Sequence, residues 1–228
     1  MAKTTNQQQA APTMEETLNQ SEAFFLKYKK AIIGVVIALV VIIAGIVLYK
    51  TYVSGPQEIK ASTAIAKGQE YFAANNFEMA LNGDSASFKG FAKLADEYSS
   101  TAAGNLANLY AGLCYANLDQ WENAAQSIEK FDASDDQMIS PAALGALGNV
   151  YAHLNQLDKA VNTLIKAAEK ADNNSLSPTF LLQAGQILEK QEKKGEALKL
   201  YKQIKEKYFY SVIVSQNIID EYIERVSE

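Results

Sequence analysis

One glycine position recurs along the chain, and the same kinds of residue follow it each time. Gly112 is followed by Tyr115, Trp121 and Ala124, at offsets of +3, +9 and +12. The same offsets define three further sets: Gly68 with Tyr71, Phe77 and Ala80; Gly148 with Tyr151, Leu157 and Ala160; Gly185 with Leu188, Lys194 and Ala197. The four glycines are spaced by 44, 36 and 37 residues. A period of this size predicts an all-α solenoid, in which stacked helical hairpins share one core.

This pattern resembles the tetratricopeptide repeat, a helix–turn–helix unit of about 34 residues. The glycine lets the two helices of a hairpin approach, and the aromatic residue at +3 lies on the same helix face. Ser140-Pro141 and Ser177-Pro178 precede the third and fourth glycines. Serine as N-cap and proline at the first helical position are typical helix starts, so we expect helices to begin there. The resemblance implies about four repeats over residues 61–228.

The first spacing is about ten residues longer than a standard unit. Asn82-Gly83-Asp84 is a turn signal, so the second helix of the first hairpin should end there. A further helix is then expected from about Ala86 to Tyr98. The segment Val212–Val226 has apolar residues at helical spacing, which predicts one C-terminal capping helix that closes the solenoid.

Residues 31–49 contain no charged and no strongly polar side chain. Nineteen helical residues span roughly 28 Å, which is close to the hydrocarbon thickness of a bilayer. A cleaved signal peptide has a shorter apolar run and an A-x-A-like site, which Lys50-Thr51-Tyr52-Val53-Ser54 lacks. We therefore predict a cytoplasmic tail over 1–30, a single transmembrane helix over 31–50 and a linker over 51–60.

The orientation follows from the flanking lysines. Lys27, Lys29 and Lys30 precede the apolar run, whereas only Lys50 lies close behind it. The positive-inside rule places the N-terminus in the cytoplasm and residues 51–228 across the membrane.

Three small residues share one face of the predicted transmembrane helix. Gly34, Ala38 and Gly45 are spaced by 4 and 7 residues, and small residues let a second helix approach closely. We predict a helix contact at this face. The alternative is that Gly and Ala are simply common in membrane helices.

Composition excludes several classes of function. Residues 51–228 carry 16 basic and 23 acidic side chains, and a net charge of −7 argues against a nucleic-acid partner. Cys114 and His153 are the only cysteine and histidine, which excludes an intramolecular disulfide and a four-ligand Cys/His zinc site. A Ser-His-Asp triad would have to use His153, for which the sequence offers no orienting partner. No glycine-rich phosphate loop is present. We predict no enzymatic activity, cofactor, metal or small-molecule substrate.

The remaining candidate site is the concave groove of the repeats. The concave positions of the family, projected onto this chain, predict the partner-binding residues Ile65, Gln69, Phe72, Leu106, Leu109, Leu113, Asn117, Asn149, His153 and Gln186. The projection also includes seven further residues: Ala73, Ala116, Gly145, Ala152, Leu182, Glu189 and Lys190. A mostly apolar surface with amide groups suits an amphipathic helix or an unfolded segment. Asn149 matches one position of the carboxylate clamp found in some tetratricopeptide domains, but its accompanying lysines are missing. The alternative is that the C-terminal helix of the protein fills the groove.

The order of tail, membrane helix and acidic repeat array resembles the YfgM-like family, the ancillary subunit of the bacterial SecYEG translocon. Three segments resemble the version found in Bacteroidetes-type bacteria: Ala80-Leu81-Asn82-Gly83-Asp84, Asp96-Glu97-Tyr98-Ser99-Ser100 and Ala103-Gly104-Asn105-Leu106. The resemblance implies a single-pass protein of the bacterial inner membrane with a periplasmic C-terminal domain. Its implied partners are translocon subunits and a periplasmic chaperone or nascent chains.

Two other hypotheses stay open. The first is a scaffold for another envelope assembly, such as cell-wall or outer-membrane biogenesis, which would have a fixed partner unrelated to secretion. The second is a cytosol-facing import receptor of a eukaryotic organelle, which requires the opposite topology to the one that the lysines indicate.

Overall fold

The computed structural model describes residues 14–84 and 86–227, with side chains from Leu26 onward. Every regular element in these residues is a helix, which confirms the all-α prediction. Residues 1–13 of the predicted tail lie outside the described residues. The chain divides into two compact units, Met1–Gly55 and Pro56–Glu228, and each is described by itself.

The first unit is one long helix, α1 (Met14–Tyr49), followed by a five-residue π-helix, Lys50–Ser54. Its apolar side chains from Ile33 to Leu48 are exposed, and an 18-residue stretch has a mean hydropathy of 3.3. Among the described residues this is the one helix long and apolar enough to cross a membrane, consistent with single-pass anchoring. Residues 51–60, which were predicted as a linker, are helical: the π-helix leads directly into α2.

The second unit consists of helical hairpins and a closing segment. Three regular hairpins pair α5 with α6, α7 with α8 and α9 with α10, whereas α2, α3 and α4 form a modified first repeat. The helices are α2 (Gly55–Ala73), α3 (Phe77–Asn82), α4 (Phe91–Glu97), α5 (Ala102–Asn117), α6 (Trp121–Glu129), α7 (Ile139–His153), α8 (Leu157–Ala171), α9 (Ser177–Lys190), α10 (Lys194–Lys207), α11 (Val212–Ser215) and α12 (Ile218–Ser227).

The recurring glycines lie where the two helices of a hairpin come closest. A Cβ atom built on Gly148 would lie 2.7 Å from Cγ of Leu164, the residue at +16. Gly112 and Gly185 face their own +16 residues, Ile128 and Tyr201, in the same way. The alanines at +12 are fully buried beside these crossings. Glycine is therefore required in the regular hairpins because the neighbouring helix occupies the space of a side chain.

The turn inside each hairpin repeats one backbone conformation. The residue at +7 has a positive φ of 57° to 61° in all four repeats, and these residues are Asn75, Asp119, Asn155 and Glu192. The N–H of the next residue donates to the carbonyl of the residue at +3, over 2.8 to 2.9 Å. Asn and Asp tolerate this left-handed conformation, but a glutamate there is strained.

The starts of α7 and α9 differ from the prediction. Ser140 and Pro141 lie inside the first turn of α7, where Asp136 Oδ1 accepts the N–H groups of Met138 and Ile139 over 2.9 and 2.6 Å. Hydrogen bonds from the Ser140 hydroxyl, the Met138 N–H and the Ser134 hydroxyl hold the pKa of Asp136 well below its usual range. Ser140 is thus not the N-cap: Met138 occupies that position, and the Asp136 carboxylate accepts the N–H groups at the start of the helix.

Ser177 is also not an N-cap, since α9 begins at this residue. Its buried hydroxyl donates to the carbonyl of Ala168 over 2.7 Å and accepts the N–H of Asn173 over 3.1 Å. The hydroxyl therefore joins α9 to the end of α8 instead of capping its own helix.

The first repeat contains an ordered loop where a regular second helix would continue. α3 ends at Asn82, and the chain turns at Gly83 and Gly90, which have φ of 95° and 91°. Asp84 Oδ1 accepts the N–H groups of Ser87 and Phe88, both over 2.8 Å. α4 then begins at Phe91 and not near Ala86 as predicted, because the Asp84 carboxylate fixes the residues after it as a loop.

The C-terminal segment forms two helices instead of the single predicted one. α11 and α12 are separated by Gln216 and Asn217, and Asn217 has a φ of 57°, which interrupts the helix. α12 buries Ile219 and Val226, and Lys205 of α10 forms an ion pair with its Asp220 over 2.6 Å. α12 therefore closes the array, as the predicted capping helix was expected to do.

Candidate partner-binding cleft

An open cleft of about 640 Å³ lies between α7, α9 and α12. Because α7 and α9 are the first helices of successive hairpins, their cleft-facing residues recur at related repeat positions. The lining residues are Asn149, Ala152, His153, Gln183, Gln186, Ile187, Glu189, Lys190 and Arg225. We call this surface the α7–α9 cleft.

The wall toward α12 is built from a network of polar contacts. Arg225 donates from Nε and Nη2 to the two carboxylate oxygens of Glu189, each over 2.8 Å. The Tyr201 hydroxyl also donates to Glu189. The Arg225 guanidinium, and then the Tyr201 hydroxyl, hold the pKa of Glu189 below its ordinary value despite partial burial. The carboxylate is thus ionised and fixed in orientation.

A second contact joins α12 to α9. Gln186 Nε2 donates to the Tyr222 hydroxyl over 2.9 Å, and the Tyr222 ring lies 4.4 Å from the Arg225 guanidinium carbon. This cation–π geometry and the Glu189 ion pair hold Arg225 along the cleft wall. The C-terminal helix therefore forms one end of the cleft and does not fill it.

His153 forms part of the opposite wall. Its imidazole is stacked on the Trp121 indole, with ring centroids 3.8 Å apart and planes inclined by 5°. Trp121 is the first residue of α6, so the stack joins two successive hairpins. The stacking fixes the plane of an otherwise exposed imidazole.

Three of the predicted site residues meet in this cleft: Asn149, His153 and Gln186. Asn117 is exposed but does not line this cleft, and its side-chain amide donates to the carbonyl of Leu113 over 2.8 Å. Further toward the N-terminus, Gln69 Nε2 donates to the Tyr110 hydroxyl over 3.2 Å. The Phe72 ring packs edge-on against Tyr110, with centroids 5.3 Å apart.

Two predicted groove residues need correction, because they lie in the core and not on an open surface. Ile65 and Leu109 are only 5% and 7% exposed. Leu106 and Leu113 are half-buried and pack against the core. Each first helix contacts a hairpin on either side, so apolar side chains at these positions are covered by a neighbouring helix. The open surface is consequently more polar than the sequence predicts.

The prediction missed two polar residues of the cleft. Gln183 lies one turn before Ile187 on α9, and its Oε1 is buried with no hydrogen-bond partner among the described residues. Arg225 comes from α12, which is far along the chain from α7. The i, i+3 spacing of Tyr222 and Arg225 places both on one helix face, but only the packing of α12 shows that this face borders the cleft.

The charge of the cleft is opposite in sign to that of the domain. Lys190 and Arg225 contribute two positive charges and Glu189 one negative charge. Lys190 takes part in none of the ion pairs found among residues 26–227. The cleft thus presents an unpaired ammonium group and side-chain amides within a domain of net charge −7. Such a surface can bind a polypeptide segment with carboxylate or carbonyl acceptors.

The other chemically relevant groups are the single cysteine and the possible metal ligands. The Cys114 thiol is completely buried, and burial raises its pKa to about 12. Within the described part of the chain, no group of three or more His, Cys, Asp or Glu side chains could hold a metal ion.

The predicted contact face of α1 is open in the first unit. A Cβ atom on Gly34 or Gly45 would meet nothing within 4 Å, and Ala38 is exposed between them. The contact of a second helix with this face stays a prediction.

Stacked helical hairpins around a concave cleft define a helical-repeat protein of the interaction-scaffold class. Residues 22–211 match the family model of the tetratricopeptide repeat-like domain, so the chain belongs to this family. Its members are typically non-enzymatic scaffolds for protein interactions. A search of curated proteins finds no match.

Proposed function

We propose that this protein is a membrane-anchored periplasmic scaffold that links the Sec translocon to periplasmic chaperones. The observation that carries the proposal is the extent of the family match, which runs from residue 22 to 211. The match includes the apolar part of α1 together with the modified first repeat and the three regular hairpins. One family match thus covers both the apolar helix and the repeats, and a scaffold that holds its partner beside the membrane would use both.

The lysine distribution supports the orientation in the proposal. Lys27, Lys29 and Lys30 precede the apolar segment, and one lysine follows it closely. In a bacterial inner membrane this bias retains the N-terminus in the cytoplasm and exports the repeats. The α7–α9 cleft would then be open to periplasmic proteins and to chains that emerge from the translocon.

The cleft chemistry supports a polypeptide partner. Lys190 and the amides of Asn149 and Gln183 can bind backbone carbonyl or carboxylate oxygens along a peptide. Ala152 and Ile187 supply apolar contact between them. A cleft of this size and mixed polarity is suited to a segment of a few residues, so affinity would depend on a small number of contacts.

Crosslinking in intact cells tests the proposal at both ends of the chain. A photoreactive residue at Ala38 should capture translocon subunits, and one at His153 should capture a periplasmic chaperone or nascent chain. His153 is used because it is exposed beside the cleft, whereas Leu109 is buried. A photoreactive residue at Lys166, exposed on α8, is the matched control. Recovery of only cell-wall or outer-membrane assembly proteins would contradict the secretion role and favour the envelope-scaffold alternative.

A charge reversal tests whether the cleft itself binds. Lys190→Glu should abolish capture from His153, because it replaces the unpaired cation with a carboxylate. Lys166→Glu makes the same change of charge on α8 and should leave capture unchanged. Both side chains are exposed, so circular dichroism should show the same helix content in the two variants. Equal capture by both variants would place the binding surface elsewhere.

A further inference from the structure

Exposed large apolar side chains concentrate at one edge of the repeat array. In residues 56–84 and 86–227, the described part of the second unit, seven such side chains are exposed, and Met79 is the only one of them away from this edge. The other six are Ile59, Met138, Ile139, Phe209, Tyr210 and Val212. They occupy the start of α2 and the connections that lead from one hairpin to the next. We call this edge the loop edge.

A row of contacts shows that these segments lie side by side. At the start of the row, the Glu58 carboxylate accepts the N–H groups of Ala102 and Ala103 over 2.7 and 2.9 Å. Next in the row, Asn105 Oδ1 accepts the N–H of Asp132 over 2.7 Å, and Asn105 Nδ2 donates to the Asp132 carbonyl over 2.8 Å.

The row continues to the C-terminal hairpin. Asn173 Nδ2 donates to the carbonyl of Gln137 over 3.1 Å, and Asp172 forms an ion pair with Lys207 over 2.6 Å. Each connection is thereby fixed to the next, from Glu58 to the residue before Phe209. The six apolar side chains consequently belong to one continuous edge.

The opposite edge, formed by the turns within the hairpins, has a different character. Its positive-φ residues and the residues that follow them are polar: Asn75-Asn76, Asp119-Gln120, Asn155-Gln156 and Glu192-Lys193. We call this the turn edge. Single exposed apolar residues need no explanation, but their concentration along one edge makes that edge a candidate contact surface.

The point at which the chain enters the repeat array indicates what the loop edge contacts. The array begins at Pro56, and the Glu58 contacts place this beginning on the loop edge. Ile59 follows Tyr49, the last residue of the apolar segment, by only ten residues in the chain. Anchoring therefore gives the loop edge a high effective concentration at the lipid surface.

We propose that the loop edge binds the lipid headgroup region of the bilayer that α1 spans, a step that rests on the proposed membrane anchoring. Aromatic side chains such as Phe209 and Tyr210 favour this interface. The adjacent Lys207 and Lys205 are paired with Asp172 and Asp220, so the surface beside the two rings has little net charge. Apolar insertion into zwitterionic lipid, and not attraction to anionic lipid, supplies the binding.

Tryptophan quenching by brominated lipid tests the proposal with a control that the chain already contains. Trp121 is the only tryptophan, and it follows the turn at Asp119 and Gln120 on the turn edge. The full chain is reconstituted in phosphatidylcholine vesicles with and without brominated acyl chains near the headgroup. The test variant combines Tyr210→Trp with Trp121→Phe. A second variant combines Ile139→Trp with Trp121→Phe.

Bromolipid should quench about half of the emission in both variants and leave Trp121 of the unsubstituted chain unquenched, because only the loop edge reaches the interface. Vesicle flotation reports separately on the anchor. A chain that floats with the vesicles but shows no quenching at either position overturns the lipid contact and leaves the anchor standing. A chain that does not float overturns both. A blue shift without quenching indicates a protein occupant, such as a second copy, and also overturns the lipid contact.

Discussion

The first repeat and the later repeats fill the same space in different ways. In the later hairpins, the residue at +16 on the second helix packs on the recurring glycine. In the first repeat +16 is Asp84, which lies in a loop, and Gly68 instead faces the rings of Phe88 and Phe91. A Cβ atom on Gly68 would lie 2.5 Å from Cζ of Phe88. Residues 83–91, which we call the insertion, thus place two aromatic rings where one helical side chain lies in the other repeats.

This difference shows that the repeat conserves a filled space and not a fixed residue position. The N-terminal core around α2–α5 consists of ring contacts, such as Phe91 stacked on Tyr110 at 4.8 Å and Phe88 edge-on to Phe91 at 5.7 Å. The C-terminal core around α7–α10 is mainly aliphatic, with Leu164 and Leu181 completely buried. A shortened second helix is tolerated because the loop supplies equivalent apolar volume.

The largest expected effect comes from removing the Phe91 ring, which packs on Gly68 in place of a residue at +16. Phe91→Ala should destabilise the domain by about 3–5 kcal/mol, because a fully buried ring leaves a cavity. Leu164→Ala, the matched change in a regular hairpin, should lose about 2–5 kcal/mol. Hydrogen exchange of the full chain in detergent should show faster exchange over 55–97 for the first variant and over 139–171 for the second. Equal loss of protection throughout both regions would contradict two separable cores.

The second effect concerns the backbone of the insertion. Gly90→Ala should destabilise by about 2 kcal/mol, because Gly90 has a φ of 91° and a Cβ atom would collide with the Leu81 carbonyl. Gly195→Ala is the control in α10, where nothing lies within 4 Å of an added Cβ. That change should stabilise the protein by about 0.5–1 kcal/mol. Urea unfolding midpoints that moved in the same direction would contradict the assigned backbone strain.

A smaller effect is expected at the turns. The first and third hairpins have Asn75 and Asn155 at the positive-φ position, whereas the fourth has Glu192. Glu192→Asn should raise the unfolding free energy by about 0.5–1 kcal/mol, because asparagine adopts this conformation with less strain. Asn155→Glu should lower it by a similar amount. Thermal unfolding measures both variants. Unchanged midpoints in both would contradict strain at the positive-φ position.

The smallest effect is a pH dependence of the loop between α3 and α4. Hydrogen bonds from the backbone N–H groups of Ser87 and Phe88, and from the Tyr71 hydroxyl, hold the pKa of Asp84 well below its usual range. A lowered folded-state pKa means that its stabilisation is complete above the unfolded value of about 3.9 and is lost as the pH falls further. The Phe88 amide resonance should therefore shift only at strongly acidic pH. In Asp84→Asn this titration should be absent.

The sequence predicts the hairpins well because their signals are local. The glycine, the residue at +3 and the alanine at +12 lie on fixed helix faces, so spacing alone places Gly148 against α8. The helix starts were predicted less well, since Ser140 and Ser177 have the right chemistry but bind elsewhere. The loop before Phe91 depends on the Asp84 carboxylate and its N–H donors, which no helical period indicates.

The cleft could be predicted only in part. Asn149, His153 and Gln186 follow from repeat positions, because each lies on the first helix of a hairpin. Arg225 does not, since its place depends on how α12 packs after the break at Asn217. The burial of Leu109 was also beyond a projection that treats every concave position as open, because neighbouring hairpins contact one another closely there.

The burial of Cys114 has a consequence for the chemistry of the chain in an oxidising compartment. Burial raises the thiol pKa to about 12, so hardly any thiolate forms at neutral pH, and disulfide exchange needs the thiolate. No other cysteine is present, so the surface has no nucleophilic sulfur. The folded protein can stay beside disulfide-forming catalysts without becoming their substrate or linking to the thiols of its partners. Oxidation of this thiol would report unfolding.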